Sequence, residues 1–254
     1  MADWSNWPMN KVVNWPKGEK IIGVLGLGPI ATADFYSKLV SRNMNKDWQY
    51  PRVLLDVHSK IPSRGRYFSL GETDPAPFIR NAIEELHLRG ADFVVIPCNT
   101  AHILYDRFAH GVSVPVPNIV DITTISALKC GIQHPLILST STTRDHLIYE
   151  DAFGRHGVKA VQFPEQHLVS EGIEAIKQNL PFSDIAQSIC RIINSSLHID
   201  SVIFGCTEVS VLMKCMAAKG NNKYPCIDSN QELADFCLHF AMNESIDDRI
   251  RTFA

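Results

Sequence analysis

The chain has 254 residues, 45% of them apolar and 20% charged, which is the composition of a globular protein large enough for a sizeable core. Its 24 basic and 27 acidic side chains give a net charge of −3, so neither nucleic acid nor a membrane surface is expected as a partner. No apolar run approaches the ~20 residues that span a bilayer, and the first residues lack the basic start and apolar core of a signal peptide.

Strands and helices are predicted to alternate along the chain. Before residue 114, the predicted order is a strand at 21–25, a helix at 31–44, a strand at 52–57, a helix at 74–89 and a strand at 93–96. After the prolines at 115 and 117, the order is a helix at 121–129, a strand at 136–139, a helix at 143–153, a strand at 158–163, helices at 166–178 and 182–196, a strand at 202–204 and a helix at 231–242. Such alternation is typical of an α/β protein whose mostly parallel sheets are flanked by helices.

Two segments of the chain, residues 91–104 and 199–212, have the same pattern. Each has an Asp six residues before a Cys, an apolar run between them and a Leu six residues after the Cys. The two cysteines, Cys98 and Cys206, therefore each follow a predicted strand. Because ligands of open α/β sheets bind beyond the carboxyl ends of the strands, the repeat predicts two pseudo-symmetric lobes with the active site in the cleft between them.

The repeat also predicts the domain organisation. We expect an N-terminal extension, a first lobe, a second lobe and a terminal helix that returns to the first lobe. Their predicted ranges are 1–17, 18–118, 119–227 and 228–254. The extension holds three of the four tryptophans, which favours an arm that packs on the fold or on a partner subunit.

The seven cysteines do not indicate a disulfide framework, because their number is odd and their spacing is irregular in a long chain. We therefore expect reduced thiols and a cytoplasmic location. No C-x-x-C, H-E-x-x-H or other zinc-spaced cluster occurs in the sequence, so no metal site is expected.

The repeated cysteines lie in Pro-Cys-Asn-Thr-Ala-His at 97–102 and in Gly-Cys-Thr-Glu at 205–208. This pair of sequences resembles the signature of the aspartate/glutamate racemase superfamily, most closely its aspartate racemase branch. The glycine turn at 26–32, Ile-Pro-Ser-Arg at 61–64 and the threonine turn at 139–143 are similar to further motifs of that family. The matches extend over nearly the whole chain beyond residue 20.

The resemblance implies cofactor-independent racemisation of an acidic amino acid, aspartate first and glutamate second, by a homodimer. Inverting a Cα centre without pyridoxal phosphate needs a base on one face of the carbon and an acid on the other. Cys98 and Cys206 would supply them, one as thiolate and one as thiol. A helix N-terminus lowers the pKa of a thiol from its usual value of about 8.5, and both cysteines are expected at such N-termini.

The resemblance also implies which residues bind the two carboxylates of the substrate. Arg64 can hold a carboxylate through two parallel hydrogen bonds, and Lys177 can add a point charge. Glu208 is expected to orient Cys206 or the substrate amine, and His102 is expected to make a structural hydrogen bond. The remaining predicted substrate-binding residues are Asn99, Thr100, Thr140, Thr143 and Thr207.

The sequence departs from the family's motifs at two places near the expected cleft. The opening turn is Gly-Leu-Gly-Pro at 26–29, one residue shorter than the family's Gly-Gly-Met-Gly-Pro. Ser63 stands where the family has Asp before the arginine, which removes a negative charge beside a predicted cation. Both differences bear on the shape and charge of the substrate pocket.

One alternative comes from a different class of protein. Residues 26–31 also fit the dinucleotide-binding pattern G-x-G-x-x-A, after a predicted strand and before a predicted helix, with Asp56 in the next strand. However, Asp56 comes later than the usual ~20 residues after the first glycine, and Pro29 lacks an N–H for the phosphates. An NAD-binding oxidoreductase is therefore the less favoured interpretation.

Other activities within the superfamily are further alternatives. Maleate isomerases and hydantoin racemases also keep two cysteines, whereas decarboxylases need only one. The predicted cations and the opening turn favour an amino-acid racemase over these enzymes. A relative that binds an acidic metabolite without catalysis is the remaining alternative.

Overall fold

The structure is a computed structural model that describes most of the chain, with the backbone alone at 215–217. The described residues are 19–41, 44, 46–217 and 223–242. They form two parallel β-sheets flanked by helices, which confirms the predicted α/β class. We call the part built on the first sheet the first lobe and the part built on the second sheet the second lobe. The predicted extension at 1–17 and residues 243–254 lie outside the described residues.

The first sheet has three strands. They are β1 (Ile22–Gly26), β2 (Val53–Val57) and β3 (Phe93–Val95). β1 lies in the middle, with Ile22 paired to Val53 on one side and to Phe93 on the other, and both pairings are parallel. All five residues of β1 are buried. A central parallel strand is covered on both faces, which explains why β1 is a continuous apolar run in the sequence.

The second sheet has four parallel strands. They are β4 (Pro135–Ser139), β5 (Val161–Gln162), β6 (Ser201–Gly205) and β7 (Cys226–Asp228). Their order is β5-β4-β6-β7, and the two central strands β4 and β6 pair over their full length. β6 ends at Gly205, so Cys206 is the first residue beyond the carboxyl end of a central strand.

Eleven α-helices and two 3-10 helices occur in the described residues. The α-helices are α1 (Pro29–Leu39), α2 (Arg64–Leu70), α3 (Ala76–Leu88), α4 (Tyr105–Ala109), α5 (Ile119–Lys129), α6 (Ser141–Asp145), α7 (Ile148–Gly154), α8 (Gln166–Lys177), α9 (Ser183–Ser195), α10 (Thr207–Ala217) and α11 (Ser229–Ala241). The 3-10 helices are Asp47–Gln49 and Asn99–Leu104. α11 contacts both α1 and α5. The predicted lobe boundaries at 118 and 227 remain a prediction. None of the described helices combines the length and apolar character needed to cross a bilayer.

The helix predicted at 143–153 is wrong, because the chain forms two helices there, α6 and α7, with a break at Leu147. Leu147 has a φ of 53°, in the left-handed region, which interrupts the helical hydrogen-bond pattern. Neither Gly nor Pro marks this break in the sequence.

Two other predicted elements are shorter in the structure. The first helix ends at Leu39 and not at 44, because the N–H and the hydroxyl of Ser41 both donate to the carbonyl of Lys38 in a tighter turn. The strand predicted at 158–163 is reduced to the two residues of β5, which lies at the edge of its sheet and pairs with β4 alone.

A buried group of charges joins α1 to α10 and to the start of α11. The Nζ atom of Lys38 donates to Asp34 Oδ2 at 2.6 Å and to Asp228 Oδ2 at 2.5 Å. Lys214 forms a further ion pair with Asp34, and Asn230 Nδ2 donates to the same carboxylate at 2.9 Å. The side chain of Asp34 is only 3% exposed, so its charge depends on these partners.

We expect Asp34→Asn to lower the free energy of unfolding by about 3 kcal/mol at neutral pH, because it removes one of the two carboxylates that neutralise the buried Lys38 and the partner of Lys214. Burial alone would raise the pKa of Asp34, but hydrogen bonds from Lys214, Lys38 and Asn230 outweigh it and hold the pKa below its ordinary value. The stabilisation is therefore complete above about pH 4 and is lost as the pH falls through the lower pKa of the folded state. Urea unfolding followed by circular dichroism across this range measures it.

Asp145→Asn is the matched control, since Asp145 is exposed and no described side chain pairs with its carboxylate. It should change the free energy of unfolding by less than about 0.5 kcal/mol. The explanation fails if the difference between wild type and Asp34→Asn stays constant from about pH 7 to about pH 3.

Candidate active site

A cleft of about 280 Å³ lies between the two lobes, beyond the carboxyl ends of their strands. It is lined by residues that follow β2 and β3 in the first lobe and β4 and β6 in the second. Nine of the ten predicted site residues line this cleft. They are Arg64, Cys98, Asn99, Thr100, Thr140, Lys177, Cys206, Thr207 and Glu208.

The tenth predicted residue, Thr143, lies behind the cleft wall and is fully buried. Its hydroxyl is 3.0 Å from that of Thr100 and 2.9 Å from that of Thr140, and those two hydroxyls are 3.0 Å apart. The three hydroxyls thus form a closed triangle that joins the lobes. Thr143 also donates its backbone N–H to Thr140 Oγ1, which caps α6.

Cys98 lies on the first-lobe wall of the cleft and is half-buried. It precedes the 3-10 helix Asn99–Leu104 and not an α-helix, so the expected helix N-terminus is present there only as a short 3-10 turn. Its backbone carbonyl lies 2.9 Å from Nδ1 of His102. Burial lowers the pKa of His102 to about 4, so this side chain is neutral and structural, as the sequence predicted.

Cys206 lies on the opposite wall, immediately before α10, and is 3% exposed. Its Sγ donates to Glu208 Oε2 at 3.3 Å, and the hydroxyl of Thr207 donates to the same oxygen at 3.0 Å. Burial raises the pKa of the Cys206 thiol well above its ordinary value, and the negative charge of Glu208 raises it further. The N–H groups of Val209 and Glu208 act in the opposite direction and do not outweigh burial. The expected lowering is therefore wrong for Cys206, which rests as a thiol.

Arg64 begins α2 and is held in the cleft by two backbone carbonyls. Its Nη1 donates to Pro62 O at 3.1 Å, and its Nη2 donates to Leu27 O at 3.4 Å. Its Nε is buried and has no hydrogen-bond partner among the described residues. The guanidinium is thus held in place through two of its five N–H groups. The glycine turn also borders the cleft, since a Cβ on Gly28 would lie 3.9 Å from Glu208 Oε1.

Lys177 comes from the last turn of α8, and the structure adds Glu174 from the preceding turn of the same helix. Both side chains are exposed, and Glu174 Oε1 accepts a hydrogen bond from Gln178 Nε2 at 2.6 Å. Sequence reasoning missed Glu174, although its spacing of three residues from Lys177 places the two on one helix face. The other cleft residues that it missed are Gly65, Ser141, Thr142, Ser170 and Ile173.

The sequence matches the model of the Asp/Glu/Hydantoin racemase family over residues 24–237. The chain belongs to this family. Because the matched range includes the glycine turn at 26–31, membership of the racemase family accounts for that motif without a dinucleotide. In the part of the chain that the structure describes, no group of three or more His, Cys, Asp or Glu is arranged to hold a metal ion.

Individual members of the racemase family are similar to this chain over most of its length. The broad specificity amino-acid racemase RacX of Bacillus subtilis (strain 168) is 26% identical over 223 residues, which cover 84% of this chain and 95% of RacX. The aspartate racemase of Picrophilus torridus has a TM-score of 0.79 and 28% identity, with coverage of 92% of this chain and 99% of that one. The glutamate racemase RacE1 of Bacillus anthracis has the same fold, with a TM-score of 0.66, 19% identity and coverage of 89% and 83%.

We expect Glu208→Gln to lower the pKa of the Cys206 thiol in this member of the racemase family. Burial, the main cause of the raised pKa, would remain, but the negative charge beside the sulfur would be gone. The ultraviolet absorbance of the thiolate, followed against pH, measures the change when the same titration with Cys206→Ser is subtracted. Glu174→Gln is the matched control, because Glu174 lines the cleft without a hydrogen bond to Cys206. An unchanged Cys206 titration in Glu208→Gln would contradict the assigned electrostatic effect.

Proposed function

We propose that the chain is a cofactor-independent racemase of an acidic amino acid, with aspartate preferred over glutamate, and that it acts as a homodimer. One observation carries the proposal: two thiols that follow strands of opposite lobes line the same cleft as Arg64 and Lys177. Two positive charges match the two carboxylates of an acidic amino acid. The similarity to the aspartate racemase of Picrophilus torridus supports the same choice of substrate.

In the proposed mechanism, each thiol group faces one side of the substrate Cα. Because Cys206 rests as a thiol, it is the acid in the first half of the cycle and Cys98, as a thiolate, is the base. Cys98 takes the Cα proton, and Cys206 gives its proton to the opposite face of the same carbon. One turnover therefore leaves Cys98 protonated and Cys206 as a thiolate, which is the starting state for the substrate of the other hand.

Charge that develops on the α-carboxylate during proton removal needs hydrogen-bond donors in fixed positions. Arg64 meets this requirement, since two carbonyls hold its guanidinium in the cleft and each Nη keeps a second N–H. Lys177 is exposed and adds a point charge from the other lobe. Glu208 supports Cys206 by accepting its S–H and does not itself need to reach Cα.

A broader substrate range is the second candidate. Two carboxylates, those of Glu174 and Glu208, line the cleft together with the two cations, so the lining is not purely cationic. Ser63, directly before Arg64, is a further difference from the family, which has Asp at this position. The similarity to RacX, a broad specificity amino-acid racemase, favours testing neutral and basic amino acids together with acidic ones.

Exchange of the Cα proton in D₂O tests the reaction and the substrate range. Incubation of wild type with both hands of a panel of amino acids should give inverted aspartate that carries deuterium at Cα. In the first turnover, the product hand should carry deuterium and the recovered substrate hand should not, because different thiols remove and deliver the proton. Exchange on neutral or basic amino acids would favour the broader range. No exchange on any amino acid would refute the proposed function.

Variants of each cysteine test the two-base mechanism. Cys98→Ala and Cys206→Ala should each lower racemisation by roughly 10³-fold, because each removes the acid or base at one face. Each variant should still exchange the Cα proton of one hand without inversion, and the two variants should act on opposite hands. Cys130→Ala, at an exposed cysteine outside the cleft, is the control and should racemise normally. Full racemisation by either cleft variant, with circular dichroism unchanged, would exclude a two-base reaction.

A further inference from the structure

Tyr149 in α7 contacts the cysteine turns of both lobes. Its side chain is fully buried, and its hydroxyl donates to Asn99 Oδ1 at 2.6 Å. α7 belongs to the second lobe, whereas Asn99 directly follows Cys98 in the first lobe. This hydrogen bond therefore ties the first cysteine turn to a side chain of the opposite lobe.

The second partner of Asn99 fixes the orientation of its amide. Asn99 Nδ2 donates to Ser229 Oγ at 3.0 Å, and Ser229 is fully buried at the first position of α11. With Oδ1 and one Nδ2 hydrogen engaged, the plane of the amide is held from two sides. One Nδ2 hydrogen is left over for a ligand in the cleft that Asn99 lines. The amide thus offers a donor, which is the group that a substrate carboxylate requires.

The ring of Tyr149 packs on the other cysteine turn. A Cβ on Gly205 would lie 2.6 Å from Cε2 of Tyr149 and 3.1 Å from its Cδ2, closer than a side chain tolerates. Gly205 immediately precedes Cys206. The absence of a side chain at Gly205 thus lets the ring lie directly against the backbone that carries the second thiol.

We propose that Tyr149 is a positioning residue that sets the two thiol-bearing turns relative to each other. Its hydroxyl holds Asn99 beside Cys98, and its ring holds Gly205 beside Cys206. This inference rests on the proposed function, because two thiols must meet opposite faces of one carbon only if they act on one substrate. Reactions that need such alignment lose rate when a reacting group moves by as little as an ångström.

Core packing alone does not account for a tyrosine here. A phenylalanine would fill the same volume without burying a hydroxyl, and a buried hydroxyl is tolerated only when it is hydrogen-bonded. Burial raises the pKa of Tyr149, so the phenol stays neutral and keeps its proton for Asn99. The proton of the hydroxyl is thus donated to Asn99, which lines the cleft, while Thr123 and Ser229 are further partners of its oxygen.

Tyr149→Phe separates the two contacts, because it keeps the ring against Gly205 and removes the hydroxyl that bonds Asn99, together with its contacts to Thr123 and Ser229. We expect kcat for racemisation to fall about tenfold, the effect of one lost hydrogen bond, with the circular dichroism spectrum unchanged. The same substitution in an Asn99→Ala background should lower kcat no further, because Tyr149 acts through Asn99. Equal losses in both backgrounds, or full activity of Tyr149→Phe, would overturn the proposal.

Two further variants keep this test decisive. Tyr224→Phe is the matched control, because it removes a tyrosine hydroxyl bonded to the carbonyl of Ser196, outside the cleft, and should leave kcat unchanged. Ser229→Ala removes the second partner of the Asn99 amide, and with it a contact of the Tyr149 hydroxyl, while the bond from Tyr149 to Asn99 stays. It should also lower kcat in the wild-type background and not in Asn99→Ala. If Tyr149→Phe does not fold, this variant decides whether the orientation of Asn99 matters.

A measurement independent of catalysis distinguishes failure of this inference from failure of the proposed function. In ¹⁵N-labelled protein, the side-chain amide signal of Asn99, identified by its loss in Asn99→Ala, should exchange slowly with solvent. Exchange should be faster in Tyr149→Phe and unchanged in Tyr224→Phe. If wild type racemises no amino acid, the proposed function fails, and unchanged exchange in Tyr149→Phe would separately refute the hydrogen bond.

Discussion

Buried hydroxyl, amide and charged groups join the two lobes behind the cleft, and such groups are stable only when their hydrogen bonds are complete. The hydroxyl triangle around Thr143, the bond from Tyr149 to Asn99 and the ion pair of Lys214 with Asp34 all cross between the lobes. A small rotation of one lobe would break several of these bonds at once. The width of the cleft therefore depends on polar contacts of defined length. Apolar packing alone would define that width less sharply.

The two cysteines repeat in sequence but not in environment. Cys206 is buried beside the carboxylate of Glu208 at the start of a long α-helix, whereas Cys98 is half-buried before a short 3-10 turn. Desolvation of the charged form decides the state of Cys206, because it exceeds the favourable effect of the helix N–H groups. The two members of the repeat therefore differ in their surroundings, and burial keeps Cys206 protonated.

The charges around the thiols narrow the class of substrate without selecting one compound. Arg64 is held rigidly by two carbonyls, whereas Lys177 is exposed on the last turn of its helix beside Glu174. A guanidinium held by two carbonyls suits the carboxylate that every amino acid carries, and an exposed cation beside an anion suits a variable side chain. Membership of the racemase family and the different surroundings of Arg64 and Lys177 fit an acidic amino acid as substrate, and they also fit a broader set of amino acids.

The sequence by itself determined the α/β class, most strands, the two cysteines and the cation Arg64, because continuous apolar runs and short motifs are local properties of the chain. The break at Leu147 was not predictable, since neither Gly nor Pro marks this left-handed residue in the sequence. Sequence also could not give the burial that raises the pKa of Cys206, or the role of Tyr149, whose partners are 50 and 56 residues away along the chain. Burial and long-range hydrogen bonds exist only once the lobes have met, so the tertiary structure alone decided the protonation state of Cys206 and the geometry between the two thiols.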